Sequence, residues 1–392
     1  MEKITVSSFR VFFNKWARTG YLWDSNRNKY LQENDIVLQS DVNLPCDVLL
    51  VPNTHYPNRE ALSRVNTSNM NAEYRGLMDY TSVPVICDSS SDFGFLTPNV
   101  FSTLSLPNVR YYMHGVSFRD PIVHRRRYLN EEYYNHVYRQ RDVYNISPDE
   151  RLARPEIPTE IQEKIVPLIR PPMEPFSDDV FKYIAQKIRP LKERSLDISF
   201  AGRVSYHFRR HLSVPTEQRR RLKNMWSSLP GKNKLFFCYD DPSGTRYNGK
   251  QIKNFSFPYE YVDLLLDTKI VISPWGFSAW CIRDFEALAC GCILIKPECS
   301  NMMTYPDIYN PANNLLIWCD IKFDRLADQL NYCYKNIDKM QERADRGRQF
   351  ILDAFYPNDK LFSSWTKHIR KLLENCLETK SYTAAENMFF TT

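Results

Sequence analysis

The chain has 392 residues, of which 43% are hydrophobic and 25% are charged, and its formal net charge is +6. A single core rarely supports this length, so we expect two domains. The composition excludes extended disorder. No segment reaches the ~20 apolar residues of a membrane span, and the N-terminal residues lack the apolar core of a signal peptide. We therefore expect a soluble cytoplasmic protein, with at most a peripheral membrane contact.

The first half of the chain contains short apolar runs that end in turn residues. β-branched and aromatic residues predominate in these runs, which predicts strands at residues 46–51, 83–87 and 109–113. Helical periodicity is weaker, at residues 58–65 and 69–78, and an aromatic amphipathic helix is predicted at residues 128–144. Residues 147–175 hold seven prolines, which predicts the connection between domains.

The second half alternates strands and helices more clearly. Strands are predicted at residues 196–201, 234–239, 268–273, 292–295 and 314–319. Helices are predicted at residues 178–188, 259–266, 279–290, 323–336, 337–354 and 359–375. This alternation indicates an α/β fold, in which helices cover both faces of a parallel sheet.

One stretch of this half has the clearest outline, namely residues 273–297, SPWGFSAWCIRDFEALACGCILIKP. It predicts a strand end, a turn at Gly276, a helix that Gly291 closes, and a second strand. Loops at the carboxyl ends of parallel strands are where such sheets bind ligands. The turn at Gly276 is therefore a candidate binding loop.

The order of Gly276, Arg283, Glu286-Ala287-Leu288-Ala289 and Gly291-Cys292 resembles the donor-binding motif of GT-B glycosyltransferases. The layout is most similar to exostosin-like enzymes and to the spore-protein-like "glycosyl transferases group 1". The resemblance covers the second half, to about residue 375. It implies two Rossmann-like domains that face each other across a cleft, and an enzyme of polysaccharide biosynthesis.

The resemblance also implies a division of labour among three segments. Residues 1–170 would form the acceptor-binding domain, and residues 171–358 would bind the nucleotide sugar. Residues 359–392 would provide a C-terminal helix that packs back on the N-terminal domain.

Donor-binding residues follow from the resemblance and from chemistry. A carboxylate accepts two hydroxyl hydrogen bonds, which suits Glu286 to the donor ribose. The backbone of Gly276, Phe277 and Ser278 can approach the diphosphate at a helix N-terminus. Arg203 follows a predicted strand and is the first candidate for the cation beside the leaving group, with Arg283 second and Arg209 close behind Arg203. Arg203 can also be explained without a ligand, as a surface charge on a solvated loop.

Plainer interpretations compete with two of these assignments. Arg283 and Glu286 are three residues apart on one predicted helix, so a surface ion pair would also explain them. Trp275 and Trp280 can be core residues or platforms for the donor base.

Stereochemistry and the catalytic base depend on other positions. Retaining members of this superfamily usually carry a glutamate where this chain has Ser278, so the resemblance favours an inverting reaction with a side-chain base. The base candidates lie after predicted strands of the first half. His114 and Asp88 lead, and His55 and Asp92 are the others.

No metal or other cofactor is expected. The ten cysteines include no Cys-x-x-Cys pair, which predicts reduced thiols and no zinc site. Asp240-Asp241 is followed by a proline turn and does not form the Asp-x-Asp motif of a metal-dependent enzyme.

Three basic clusters do not by themselves identify the binding partner of the protein. They lie at residues 124–127, 203–210 and 219–223. The leading hypothesis is a nucleotide sugar with an anionic glycan or glycolipid acceptor, and no nucleic acid. A nucleic-acid-binding protein and a non-catalytic carbohydrate-binding protein are the alternatives, and solvated surface is the plain interpretation of each cluster.

Overall fold

The computed structural model describes residues 3–8, 28–39, 45–53, 83–89, 107–113, 117–118, 164–166, 176–204, 214–239, 246–247, 250–251, 258–275, 281–300, 302–304 and 306–378. The chain divides into two compact units. The first takes the described residues up to position 166 and those from Asp359 onward, and the second takes those of Pro171–Asn358. The helices predicted at residues 58–65, 69–78 and 128–144 lie outside the described residues.

The first unit is built on a parallel sheet. Its elements are β1 (Ile4–Ser8), α1 (Asn28–Gln32), β2 (Ile36–Gln39), β3 (Val48–Asn53), β4 (Val85–Ser89), β5 (Val109–Met113), β6 (Ser117–Phe118) and β7 (Ile165–Val166). Six of the strands form one sheet in the order β2-β1-β3-β4-β5-β7, and all neighbours are parallel. The predicted strand at residues 109–113 is confirmed, whereas β1 and β2 were not predicted, because both are short and include polar residues.

The second unit contains most of the described helices. Its elements are α2 (Asp178–Lys187), β8 (Leu196–Gly202), α3 (Val214–Met225), β9 (Lys234–Cys238), β10 (Arg246–Tyr247), β11 (Lys250–Gln251), α4 (Tyr259–Asp267), β12 (Thr268–Ile272), α5 (Ile282–Ala289), β13 (Ile293–Pro297), β14 (Met302–Met303), β15 (Leu316–Cys319), α6 (Leu326–Lys335) and α7 (Ile337–Phe355). A five-stranded sheet has the order β15-β13-β12-β8-β9, again parallel throughout.

Continuous apolar runs explain this second sheet. Every residue of β13 is buried, and β12 is buried apart from the half-buried Lys269. Such strands are typical of a parallel sheet that is covered on both faces, because neither face of the strand meets water. The predicted α/β class, with one parallel sheet in each half of the chain, is confirmed. None of the helices in the described part is long and apolar enough to cross a membrane.

The last helix, α8 (Asn358–Leu377), belongs to the first unit although it is far from it in sequence. Its inward face repeats with helical period, and its members are Ile369, Leu372, Leu373 and Cys376. They share one core with β1 and β3 residues such as Val6 and Val48. Thr366 and Asn34 are joined side chain to side chain at 2.9 Å, so polar contacts also fix the helix.

We expect Leu372→Ala to destabilise the first unit by about 2–5 kcal/mol, because the change leaves a cavity under α8. Leu372 is only 1% exposed. The exposed Lys367 on the same helix provides the control, and Lys367→Ala should change the free energy of unfolding by less than about 0.5 kcal/mol. Urea unfolding followed by circular dichroism measures both. Equal effects of the two substitutions would contradict the packing of α8 on this core.

Candidate functional site

The strand order of the second sheet creates a crevice at its carboxyl edge. The chain passes from β8 outward to β9 and then returns to β12 on the other side of β8. The loops after β8 and β12 therefore lead in opposite directions, and ligands of open α/β sheets bind where this happens. Residues 203–204 follow β8 and residues 273–275 follow β12, which makes this edge the candidate site.

Helix α5 begins later than predicted. Its N-cap is Cys281, and the carboxylate of Asp284 accepts a hydrogen bond of 3.3 Å from the backbone N–H of Cys281. The helix therefore begins at Ile282. Residues 276–278 lie outside the described residues, so their predicted approach to the diphosphate stays a prediction. Gly291 ends the helix as predicted, with φ at +63°, a conformation that glycine adopts without steric cost.

A fully buried ion pair lies beneath the site. The Nζ atom of Lys296 is 2.8 Å from Oδ2 of Asp284, and both side chains are 0% exposed. Ser273 and Tyr309 also donate hydrogen bonds to Asp284, each of 2.5 Å. Burial by itself lowers the pKa of Lys296, but the negative charge of Asp284 more than offsets this and the pKa is raised. The contact between Lys296 and Asp284 ties β13 to the start of α5.

Arg283 joins the ends of the two strands that border the crevice. Its guanidinium carbon lies 5.2 Å from the centre of the Phe200 ring, and its Nη1 donates to Ser273 Oγ at 3.4 Å. A Cβ atom on Gly202 would come within 2.6 Å of Arg283 Nη2. Glycine at this position therefore allows the guanidinium to lie directly over the backbone of β8.

Glu286 lies one turn further along α5 and is only 6% exposed. Burial raises its pKa to about 7, against the positive charge of Arg283 and a hydrogen bond from Tyr261, which both lower it. A carboxyl with so perturbed a pKa, beside an arginine at a ligand-binding edge, is typical of a functional site. Because Glu286 is buried, the alternative of a surface ion pair between Arg283 and Glu286 is wrong.

Comparison with known proteins agrees with this geometry. Residues 217–361 match a family model described as glycosyl transferase-like. The matched residues include Asp284, Glu286 and Lys296. Residues 217–361 therefore carry a glycosyl transferase-like domain. No curated protein matches the sequence.

Solved structures that resemble the chain are distant. An alpha1,3-fucosyltransferase is 13% identical, with 95% of this chain and 91% of that chain covered and a TM-score of 0.43. Sucrose-phosphate synthase from Thermosynechococcus elongatus is 10% identical, covers 95% and 100%, and has a TM-score of 0.49. WaaG, a glycosyltransferase involved in lipopolysaccharide biosynthesis, is 13% identical, covers 94% and 99%, and has a TM-score of 0.40. The assignment rests on the matched segment and on the chain's own geometry.

The second unit brings some of the predicted donor residues to one edge of its sheet. Arg203 is exposed and directly follows the end of β8, which is the strand that Arg283 contacts. Trp275 is 1% exposed and its ring nitrogen donates to the carbonyl of Pro297 at 3.2 Å, so it belongs to the core and is no base platform. Arg209 and Trp280 lie outside the described residues.

The predicted base candidates lie in the first unit. Asp88 is in β4, near its carboxyl end, and the structure does not describe its side chain. His114, His55 and Asp92 lie outside the described residues, so their assignment stays a prediction.

Sequence reasoning missed Asp284, Lys296 and Arg219 of the glycosyltransferase domain. Lys296 carried a readable signal, because a lysine inside an apolar strand needs a buried counter-charge. The run at residues 219–223 was interpreted as one basic face. The structure divides it, because Arg219 is only 1% exposed whereas Arg220 and Arg221 are exposed and form ion pairs with Glu217 and Asp324.

We expect Glu286→Gln to alter how stability depends on pH. The folded protein holds the Glu286 proton more tightly than the unfolded chain does, with a pKa of about 7 against 4.5. The stability that this provides is complete below about pH 4.5 and is lost as the pH rises to about 7. The variant has no carboxyl to deprotonate, so it does not lose this stability. Its free energy of unfolding relative to that of the wild type should therefore rise by up to roughly 3 kcal/mol from pH 5 to pH 8.

Thermal unfolding at both pH values measures this gain. Glu260→Gln is the control, because Glu260 is exposed on α4 and substitution of an exposed residue should change the free energy of unfolding by less than about 0.5 kcal/mol. A pH-independent effect of Glu286→Gln would contradict the raised pKa.

The buried pair gives a second expectation. Asp284→Asn should cost about 3–5 kcal/mol, because it leaves the Lys296 charge buried without its partner. The double variant Asp284→Asn/Lys296→Met should lose less than the sum of the two single losses. Urea unfolding of the three variants measures the coupling, and strictly additive losses would show that the two charges do not depend on each other.

Proposed function

We propose that this glycosyltransferase moves a sugar from a nucleotide-sugar donor to a hydroxyl of a glycan or glycolipid, with inversion and without a metal ion. The observation that carries the proposal is the buried carboxyl of Glu286 beside Arg283, at the crevice where the sheet reverses its strand order. This constellation lies within the matched segment. Its chemistry, one carboxylate and nearby guanidinium groups, suits a ribose diol and a diphosphate.

Each donor group has a proposed partner. Glu286 accepts hydrogen bonds from the ribose hydroxyls. Arg203 and Arg283 neutralise the diphosphate, together with Arg209 and the backbone N–H groups of residues 276–278. The charge that develops on the leaving diphosphate is stabilised by fixed guanidinium groups rather than by a metal ion.

The transfer itself is a single displacement. The acceptor oxygen attacks the anomeric carbon as the bond from that carbon to the diphosphate oxygen breaks. A base takes the hydroxyl proton, and His114 or Asp88 is proposed for this role. The electron pair of the broken bond leaves with the nucleoside diphosphate. Ser278, at the position where retaining enzymes of this superfamily usually have a glutamate, supports inversion.

The basic clusters support an anionic or membrane-bound acceptor. The arginine-rich segments at residues 124–127 and 203–210 would attract phosphate-bearing glycolipids and anionic bilayer surfaces. The third run does not add to this, because Arg219 is buried and Arg220 and Arg221 are paired with acidic residues. We propose a cytoplasmic enzyme of polysaccharide or glycolipid synthesis with peripheral membrane contact.

A thermal-shift screen against UDP-, GDP-, ADP- and CMP-sugars and the free nucleotides tests the proposal. A donor at about 100 times its Kd stabilises the native state by about 2.7 kcal/mol, which is a visible shift. Anomeric proton NMR of the product then reports inversion or retention. If no nucleotide or nucleotide sugar raises the unfolding temperature, the proposal of a nucleotide-sugar donor is wrong.

We expect Glu286→Gln to raise the donor Kd about ten- to a hundredfold, because charge-assisted hydrogen bonds to the ribose are lost. Isothermal titration calorimetry at a temperature where both proteins are folded measures the effect. Glu260→Gln serves as the matched control and should bind the donor as the wild type does. Unchanged affinity in Glu286→Gln would exclude Glu286 from the donor site.

A further inference from the structure

Helix α3 buries an arginine that the proposed function does not use. Of the three consecutive arginines, Arg220 and Arg221 are exposed, whereas Arg219 is only 1% exposed. Burying a guanidinium is costly unless its donors find well-placed acceptors. The position of Arg219 therefore indicates a specific set of acceptors.

Two of those acceptors are carbonyl oxygens on the two loops that border the crevice. Nη1 of Arg219 donates to the carbonyl of Arg203 at 2.6 Å, after β8. Nη2 donates to the carbonyl of Trp275 at 2.8 Å, after β12. The two nitrogens belong to one rigid planar group, so the distance between the two carbonyls is fixed by the geometry of the guanidinium.

The neighbouring Gln218 binds the backbone N–H of the same residue, Trp275, whose carbonyl Arg219 binds. Its Oε1 accepts a 2.9 Å hydrogen bond from the backbone N–H of Trp275, and the side chain is 0% exposed. Its Nε2 is buried and has no hydrogen-bond partner in the described part of the chain. The glutamine thus leaves one polar atom unsatisfied while its oxygen fixes the backbone of Trp275, the last described residue after β12.

We propose that Arg219 and Gln218 form a clamp that sets the spacing and orientation of the two donor-binding loops. This inference rests on the proposed function. The clamp residues are positioning residues: they act through the backbone of Arg203 and Trp275. The clamp preorganises the donor site, because a diphosphate held between two loops binds weakly when either loop must first be ordered.

A second buried arginine shows what a purely structural role looks like. Arg194 is 2% exposed and donates to the carbonyls of Arg189 at 3.1 Å, Thr268 at 2.8 Å and Cys290 at 3.0 Å. Arg194 lies before β8, Thr268 begins β12 and Cys290 precedes β13. Arg194 therefore connects segments at the amino ends of the strands of the same sheet. Arg194→Lys is therefore a matched control for Arg219→Lys, with the same chemistry at the opposite end of the strands.

The experiment compares Arg219→Lys, Arg194→Lys and Arg220→Lys with the wild type. A lysine keeps the positive charge but cannot hold two carbonyls in a fixed geometry. For Arg219→Lys we expect the Kd and KM of the donor found in the nucleotide-sugar screen to rise at least about tenfold, with the acceptor KM unchanged. Arg194→Lys should lower the unfolding temperature without changing donor affinity more than twofold, and Arg220→Lys should change neither.

Hydrogen exchange provides a readout that needs no donor. The Trp275 amide is bonded to Gln218, so it should exchange faster in Arg219→Lys and in Gln218→Met, and at the wild-type rate in Arg194→Lys. Gln218→Met also raises the donor Kd in this proposal, and it decides the outcome if Arg219→Lys does not fold.

The two proposals fail in different ways. A wild-type protein that binds no nucleotide sugar removes the donor proposal, while the exchange rates still test the clamp. Donor affinity in Arg219→Lys equal to that in Arg194→Lys, or unchanged Trp275 exchange in both clamp variants, overturns the clamp and leaves the donor proposal standing.

Discussion

The reversal of strand order between β8 and β12 is the constraint on which the rest of the site depends. Because the chain runs outward on both sides of this point, the connections after β8 and β12 lead in opposite directions, which is where open α/β sheets bind ligands. Arg283 spans the two strand ends from α5, and Glu286 follows it one turn later on the same helix. The chemistry of the edge thus comes from residues whose positions are set by the sheet.

Several charged side chains are buried or half-buried near this edge of the sheet. Two of them form the ion pair between Asp284 and Lys296, in which both side chains are fully buried and Asp284 accepts from the backbone N–H at the start of α5. The same helix carries Glu286, whose pKa is raised by burial, and Arg283, whose positive charge opposes that shift. Buried charges of this kind are costly alone, so their concentration at one end of one sheet indicates a functional use rather than a contribution to stability.

The sequence predicted the second unit well because its signals are local. Continuous apolar strands such as β12 and β13 and the helix end at Gly291 require only a few neighbouring residues to be recognised. The spacing of Arg283 and Glu286 within that framework was enough to mark the candidate site. The first unit was read less completely, because β1 and β2 are short and are buried only through partners distant in the chain.

The sequence by itself determined the α/β class and the motif residues, because both depend on periodicity and spacing along the chain. Only the tertiary structure decided which charges are buried. It showed that Glu286 is no surface partner of Arg283, that Asp284 pairs with Lys296, and that Arg219 leaves its basic run to hold two loops. Burial and pairing are properties of segments that meet from far apart in sequence, so a local pattern such as the lysine within the apolar run of β13 indicates that a counter-charge is needed but does not specify which residue provides it.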